Sequence, residues 1–452
     1  MPSLRQRLNK TGIGYAGLDG VWWRPATTPF SLPATLRAEL VECGRALFAL
    51  FDGVTELYRA GQSERLQHLL TYKVPGSLQQ LVGSGRVLAV RPDFQLCLTA
   101  EGHYRPVATE LEICPSAQGF AHAMQVAYGL APDLARETVR LLAGRPLLVV
   151  GARSWSPFLF EQLAFCRALE AHGGEGRVLY DRPLALLDEE VRAERRWRPP
   201  LFGVPVRPPG WQSELLSRLR AADLQRYWWP DDSRWPDDVG EAVIFRFGYL
   251  NLFDREALDH FAAWQASRAT WLNPPAFFLD SKTLLAATRL PIVRETVRAR
   301  LGASGLQALD RCLPETVLLA PEQCEQLTAE QPEWVVKLAG FDDGELAWGG
   351  HSLTVGAECS AVEWRRVLTQ YAALPWPVVA QRAVPSTRID IAFLDEHDQP
   401  RRLPNGRTRL RVFLLRQEDD QVAVCGAHVT VSDGSSGVAE GLEAVQAPVV
   451  FT

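Results

Sequence analysis

Lysine is nearly absent from this chain. Of 48 basic residues only four are lysines, Lys10, Lys73, Lys282 and Lys337. A solvated surface tolerates such a bias, so lysine persists best where a compact ammonium is needed and a planar, forked guanidinium cannot substitute. Each of the four is therefore a stronger functional candidate than a lysine in an ordinary protein. Paired cysteines are missing too. The eight are scattered singly (Cys43, Cys97, Cys114, Cys166, Cys312, Cys324, Cys359 and Cys425), with no CxxC and no Cys/His cluster at zinc spacing. Most sit among apolar neighbours, as in QLCLT and LAFCRAL, and read as small core residues in a reducing, cytoplasmic setting. No apolar run approaches the ~20 residues that span a bilayer, and the start MPSLRQRLNKTG lacks the apolar h-region of a secretory signal. The formal charge of −5 is small and mixed in sign, which leaves no footprint for nucleic acid or an anionic membrane. GxSxG is absent, which disfavours serine-hydrolase chemistry, and so is the GxxxxGK[ST] loop.

What is there is a globular composition, 47% hydrophobic and 22% charged over 452 residues, which suggests about three units at roughly 150 residues each. In the first, 1–143, the apolar spacing of 34–61 predicts a helix ending at Gly61. RVLAV (86–90) reads as a buried strand, and FQLCLT (94–99) with RPVATELEI (105–113) as a hairpin, before helix resumes over 118–143. The second, 144–270, opens with the apolar strand RPLLVVGARS, a helix from Ser156 and Pro157 to Gly173, and the strand GRVLYD. That is a βαβ start, and it predicts a parallel sheet. Its turn GARSWS lacks the later glycines of GxGxxG, which argues against a dinucleotide there. Residues 195–240, rich in Trp, Pro, Arg and Asp, read as a surface loop whose tryptophans are packing anchors, and the arginines of 192–209 as solvated. The third unit, 271–452, has a helix at 280–300 and another at 356–374. Its strands are 334–340, 377–384, 388–395, 408–416 and 421–432, an α+β unit with a largely antiparallel sheet.

Two features carry chemistry. In RPVATELEI, strand alternation puts Glu110 and Glu112 on one face, roughly 7 Å apart, and Asp93, just past the strand 86–90 and near Arg91, could lie on the same side. Convergent carboxylates repel unless a cation neutralises them, and Mg²⁺ shared with substrate phosphates suits such a set; an ordinary exposed acidic face is the plainer account. Lys337 ends an apolar strand and leads into AGFDDGELAWGG, with Gly340 and Gly344, a plausible phosphate clamp of ammonium and loop N–H groups. Lys282, in NPPAFFLDSKTLLAA, stands at an expected helix start capped by Asp280 or Ser281, where an ammonium suits anion binding better than stability. His428, beside a late strand glycine, reads as structural.

In order along the chain, these phrases resemble a circularly permuted ATP-grasp enzyme of the glutathionylspermidine-synthase-like group. RPDF followed by ELEICPSAQG resembles the family's R-x-D…E-x-N-x-x-P-x-G phrase, which implies Mg²⁺ ligands at Asp93, Glu110 and Glu112. NPPAFFLDSKTLLA and WVVKLAG resemble the two lysine segments, which implies ATP-phosphate contacts for Lys282, Lys337, Gly340 and Gly344. VVAQRAVP resembles the adenine linker, placing Gln381, Arg382, Ala383 and Val384 at the purine edge, and RLRVFLL the strand of the phosphate arginine, Arg411. RPLLVVGARSWSPF resembles the inserted Rossmann-like pre-ATP-grasp domain. Departures are Glu112 for asparagine, Gln381 for a frequent glutamate, Leu338 for a proline, and no arginine in CGAHVTVSDGSSG.

The resemblance implies an α/β (α+β) fold of ATP-grasp type in permuted order. It also implies ATP-dependent ligation of a small-molecule carboxylate to an amine through an acyl phosphate, with ATP and Mg²⁺, and with Lys337 and Arg411 catalytic. The alternatives are a small-molecule kinase or a non-catalytic nucleotide-binding scaffold. Homo-oligomerisation stays open.

Overall fold

The computed structural model describes residues 3–11, 24–83, 85–180, 226–229, 235–343, 346–347, 352–395, 397–433 and 444–452. The expectations for Gly344, for the arginines of 192–209 and for most of the Trp/Pro-rich segment lie outside these residues.

The described residues form three sheets. The largest has eight strands. Its main path runs 24–25, 445–451, 422–432, 400–416, 89–98 and 104–112, with 388–394 paired to 400–416 and 30–32 paired to 445–451. Alternation divides its two faces. Val90, Phe94, Leu96, Leu410, Val412, Val429, Val431, Val445 and Ala447 point into the main core. That core is completed by the helices Ala34–Arg59 and Pro291–Cys312, which supply Leu40, Leu47, Phe51, Val54, Val293 and Val297. The opposite parity carries Arg91, Asp93, Gln95, Arg409, Arg411, His428 and Thr430. Polar residues on a buried sheet face need partners, and Arg91, Arg409 and Arg411 pair with Asp93 while Thr430 accepts from Arg411.

The second sheet, antiparallel, is ordered 354–355, 334–338, 378–382, 316–318. Trp334, Val336, Val378 and Ala380 pack on the helix Ala361–Ala372 through Trp364, Leu368 and Tyr371. That helix begins at a capping box in which Ser360 and Glu363 each accept the other's backbone N–H. Lys337 has the other parity and faces away from the helix. The third sheet is parallel, ordered 176–180, 147–151, 243–247, 270–271, as the βαβ start requires. Trp228 and Trp235 are buried, in keeping with tryptophans as packing anchors.

Several boundaries differ from the sequence expectations. The segments 86–90 and 94–99 are one strand, Ala89–Leu98, which passes through Pro92. The helix expected over 118–143 breaks into Gln118–Ala127 and Asp133–Leu142, because Gly129 takes a positive φ and Pro132 follows. The helix expected at 280–300 is a five-residue turn, Thr283–Ala287, and a new helix that starts at Pro291, whose ring suits the first helical position. The antiparallel sheet of the last unit is two sheets. Its strands from 388 onward join the hairpin of the N-terminal part, and 316–382 forms the second sheet alone. No described helix is long and apolar enough to cross a membrane.

Candidate nucleotide site

The site is built on the edge hairpin of the large sheet. Register places Glu110 opposite Asp93 and Glu112 opposite Arg91, and Asp93 opposite Arg411 on its other side. One row therefore reads Glu110, Asp93, Arg411, His428 across four strands. A bulge between Asp93 and Phe94 leaves Thr109 unpaired and turns its carbonyl out of the ladder.

Both candidate lysines arrive at this edge. Lys282 Nζ lies 2.9 Å from Glu110 Oε1 and donates to the Ala347 carbonyl at 2.7 Å. Lys337 Nζ donates to the Thr109 carbonyl at 2.7 Å and to Gln381 Oε1 at 3.0 Å. The two lysine segments are tied to each other through the Lys282 N–H, which donates to the Ala339 carbonyl at 2.8 Å. Gly340 sits at this crossing with φ +145°, and a Cβ there would lie 3.1 Å from the Asp280 carbonyl oxygen, so a side chain would need both a rare backbone conformation and more room. The other two lysines lie elsewhere. Lys73 donates to the carbonyls of Ala372 and Leu374 at the end of the helix Ala361–Ala372, and Lys10 is exposed in the last turn of Leu4–Lys10.

The electrostatics follow from burial. Burial lowers Lys337 to about 7, against the attraction of Glu110 and with the repulsion of Lys282 and Arg409. Burial and the neighbouring Glu110 raise Glu112 to about 7, although Arg91 opposes them. Glu110 goes the other way: burial would raise it, but Lys282 and Lys337 outweigh burial and hold it low. Asp93 is held far below the carboxylate range, its burial outweighed by Arg91, Arg411 and Arg409.

These environments sort the three expected metal ligands. Both Asp93 oxygens are engaged, Oδ1 by Arg91 Nε at 2.9 Å and Oδ2 by Arg411 Nε at 3.1 Å, with Arg409 at 3.7 Å. Among the described residues no group of three or more His, Cys, Asp or Glu side chains is placed to hold a metal ion. Glu110 and Glu112 remain as a pair, and their mutual repulsion is what a divalent cation would relieve. Mg²⁺ needs no more, since it usually takes one or two carboxylates and completes its shell from phosphates and water. The residues present fit Mg²⁺ in that limited form, with Asp93 organising arginines instead.

The expected purine-edge residues divide by parity. Gln381 points toward Lys337, and its amide donates to Thr316 Oγ1 at 3.0 Å. Arg382 points the other way, lies 4.3 Å over the Trp334 ring and is paired with Glu315, Glu330 and Glu333. Ala383 donates its N–H to the Glu333 carbonyl, and Val384 follows it out of the strand. Asp280 is no helix cap. It forms a two-pronged ion pair with Arg246 at 2.6 and 2.8 Å, and Ser281 Oγ accepts the Thr283 N–H instead. His428 is buried against the rings of Phe120 and Phe413 and held neutral by burial and Arg411.

Sequence reasoning missed Tyr249, Arg409 and Arg246. Tyr249 donates to Glu112 Oε2 at 2.8 Å. It also lines the two small clefts that flank Lys282, one bounded by Glu110 and Glu112, the other by Asn251, Gly340 and Asp342. An arginine inside the apolar strand VIFRF was the available signal for Arg246, because a charge in a buried run must be paired.

No family model matches the sequence, and no curated protein matches it. Solved structures do. The apo form of a glutathione synthetase-like effector from Globodera pallida aligns over 99% of this chain and 97% of its own, with a TM-score of 0.53 at 14% identity. A putative gamma-glutamylcysteine synthetase from Methylobacillus flagellatus covers 93% of this chain and 87% of its own, with a TM-score of 0.35 at 14% identity. A carboxyaminoimidazole ribonucleotide synthase from Aspergillus clavatus, complexed with ATP, covers 63% of this chain and 70% of its own, with a TM-score of 0.25 at 10% identity. The chain is a mixed α/β protein with the fold of the glutathione synthetase-like effector.

Proposed function

We propose that this chain is an ATP-dependent carboxylate–amine ligase acting on small molecules, with its ATP-grasp parts in circularly permuted order and residues 144–270 as the pre-ATP-grasp domain. The observation that carries the reading is the convergence of Lys282 and Lys337, two of only four lysines and 55 positions apart, on the edge that bears Glu110 and Glu112. Five cations (Arg91, Arg409, Arg411, Lys282, Lys337) surround three carboxylates there. Such an excess suits a triphosphate.

ATP would supply the phosphoryl group that activates the carboxylate for attack by the amine; Glu110 and Glu112 would hold Mg²⁺, which would neutralise phosphate charge. The chain's own part is positioning and charge. Lys282 and Lys337 give up the Glu110 carboxylate and the Thr109, Ala347 and Gln381 oxygens for phosphate oxygens. Asp93 holds Arg411 and Arg91 in place, so that Arg411 presents its remaining donors to the transferred group. The segment Gln381 to Val384 lines the purine edge, with adenine contacts falling to the backbone past the doubly paired Gln381, and the segment around Gly340 covers the phosphates and keeps water out.

Calorimetric titration of ATP with and without Mg²⁺, followed by product analysis, tests the reading. Mg²⁺-dependent binding, with ADP and an amide as products, is the expected result. A stable phosphorylated product would make the protein a kinase, and no binding under either condition would make it a scaffold.

A further inference from the structure

Behind the candidate site lies a buried polar network that none of the roles above uses. Arg246, on the parallel strand Val243–Phe247, and Asp280 form an ion pair whose side chains are 0% and 1% exposed. Asn273 completes it. Its Oδ1 accepts the Arg246 N–H at 2.8 Å, and its Nδ2 donates to the carbonyls of Arg246 at 2.7 Å and Ile113 at 2.9 Å. Arg246 Nη1 also donates to the Gly248 carbonyl at 2.5 Å, and Asp280 Oδ2 accepts the Leu250 N–H at 2.7 Å.

Each outgoing bond ends next to a group that lines the clefts. Ile113 follows Glu112. Gly248 and Leu250 bracket Tyr249, whose hydroxyl holds Glu112. Asp280 stands two positions before Lys282. The ion pair thus pins two chain segments, 248–250 and 280–282, and Asn273 ties a third, 112–113, to the Arg246 backbone, so the side chain each presents to the cleft follows from the network. A buried ion pair is seldom retained for stability, because desolvation of two charges offsets most of their attraction. An apolar pair of the same volume would fill the space as well, but could not bind the Gly248 carbonyl or the Leu250 N–H.

We infer that Asn273, Arg246 and Asp280 are positioning residues, which fix Glu112, Tyr249 and Lys282 in a single geometry and so set the affinity of the site for a metal-bound triphosphate. This rests on the nucleotide reading above. Asp280 borders both clefts, but its carboxylate is committed to Arg246 and the Leu250 N–H, so the network acts through the three groups it anchors and links the parallel sheet to the cleft.

The test is the double variant Arg246→Met/Asp280→Leu, with ATP plus Mg²⁺ as the probe. Thermal unfolding and calorimetric titration are compared with the wild-type chain well below both unfolding midpoints. The expected result is ATP affinity reduced at least tenfold at a temperature where the variant is fully folded, whatever the fall in its midpoint, a loss that a purely structural role would not produce. A folded double variant with wild-type affinity overturns this inference while leaving the nucleotide site standing. Should the double variant not fold, Asp280→Asn keeps the size and the acceptor for Leu250 and carries the same comparison: reduced affinity in folded protein supports the inference, and unchanged affinity overturns it. A wild-type chain that binds no ATP removes the nucleotide reading itself, and this inference with it.

Discussion

Lys337 and Thr109 meet because each breaks the pattern of its own strand. Lys337 is a charge at the end of an apolar run, and Thr109 is the residue a bulge leaves out of the ladder; the ammonium donates to the freed carbonyl at 2.7 Å. A carbonyl and an amide oxygen hold the lysine without neutralising it, so its charge stays available to an anion.

Lys337→Ala should weaken ATP binding about 10- to 100-fold, since a hydrogen bond to a charged group is worth about 1.5–3 kcal/mol. Lys337→Arg should not restore it, because a forked guanidinium does not fit a buried point-charge position. Titration calorimetry decides, and wild-type affinity in the alanine variant would mean that the phosphates lie elsewhere.

Nucleotide binding should take up a proton above neutrality. Burial brings Lys337 to about 7, so the ammonium prevails below that pH and the neutral amine above it. A bound triphosphate favours the ammonium, so the contribution of Lys337 to affinity is greatest below pH 7 and falls as pH rises through it. Titrations at pH 8 in two buffers of different ionisation heat should show uptake approaching one proton per ATP, and Lys337→Met should abolish it. Equal affinity at pH 6 and pH 8.5 would count against the assignment.

Glu112→Gln should stabilise the ligand-free protein at pH 8 and change it little at pH 5. Burial and Glu110 keep this carboxyl protonated up to about 7 in the folded chain, against about 4.5 for a solvated glutamate. Its contribution is therefore present at low pH and lost as pH rises from the lower value through the higher. The amide avoids that loss, a gain of about 1–3 kcal/mol, read from denaturant unfolding at the two pH values.

Glu110→Gln should reduce the Mg²⁺ dependence of ATP binding. The substitution removes one of two carboxylates facing the cation and frees Lys282 from its 2.9 Å partner. Metal-free affinity should rise and the Mg²⁺-dependent increment shrink. An unchanged increment would place the cation away from this hairpin.

Much of the site was legible where the residue type itself was unusual. Two of the four lysines converge on the hairpin, and strand alternation put Glu110 and Glu112 on one face. The strands were legible for the same reason, since period-two burial is a local signal. What escaped depends on contacts made at long range. Asp93 looks like a third carboxylate in sequence, and only register with Arg411, 318 positions away, commits it to arginines. Asp280 next to a serine looks like a helix cap, and only the parallel sheet brings Arg246 to it. The break after 287 was in plain view at Pro291, but apolar periodicity runs across it and hides it.

The pairing of Ala89–Leu98 with Pro400–Arg416 also constrains how the chain matures. During synthesis the carboxylates of the hairpin emerge some three hundred residues before the strand that carries their arginines. Until that strand arrives, the hairpin has an open edge, and Asp93 lacks two of the three arginines that hold it. At about 5–20 residues per second the wait lasts some 15 to 60 seconds, and pairings so distant in sequence are slow to close. The parallel sheet, complete by residue 271, can form first and stand as the platform. The centre of the site is then completed late, only once 400–416 has been made, and a chain that stops before residue 400 has folded pieces and no complete site.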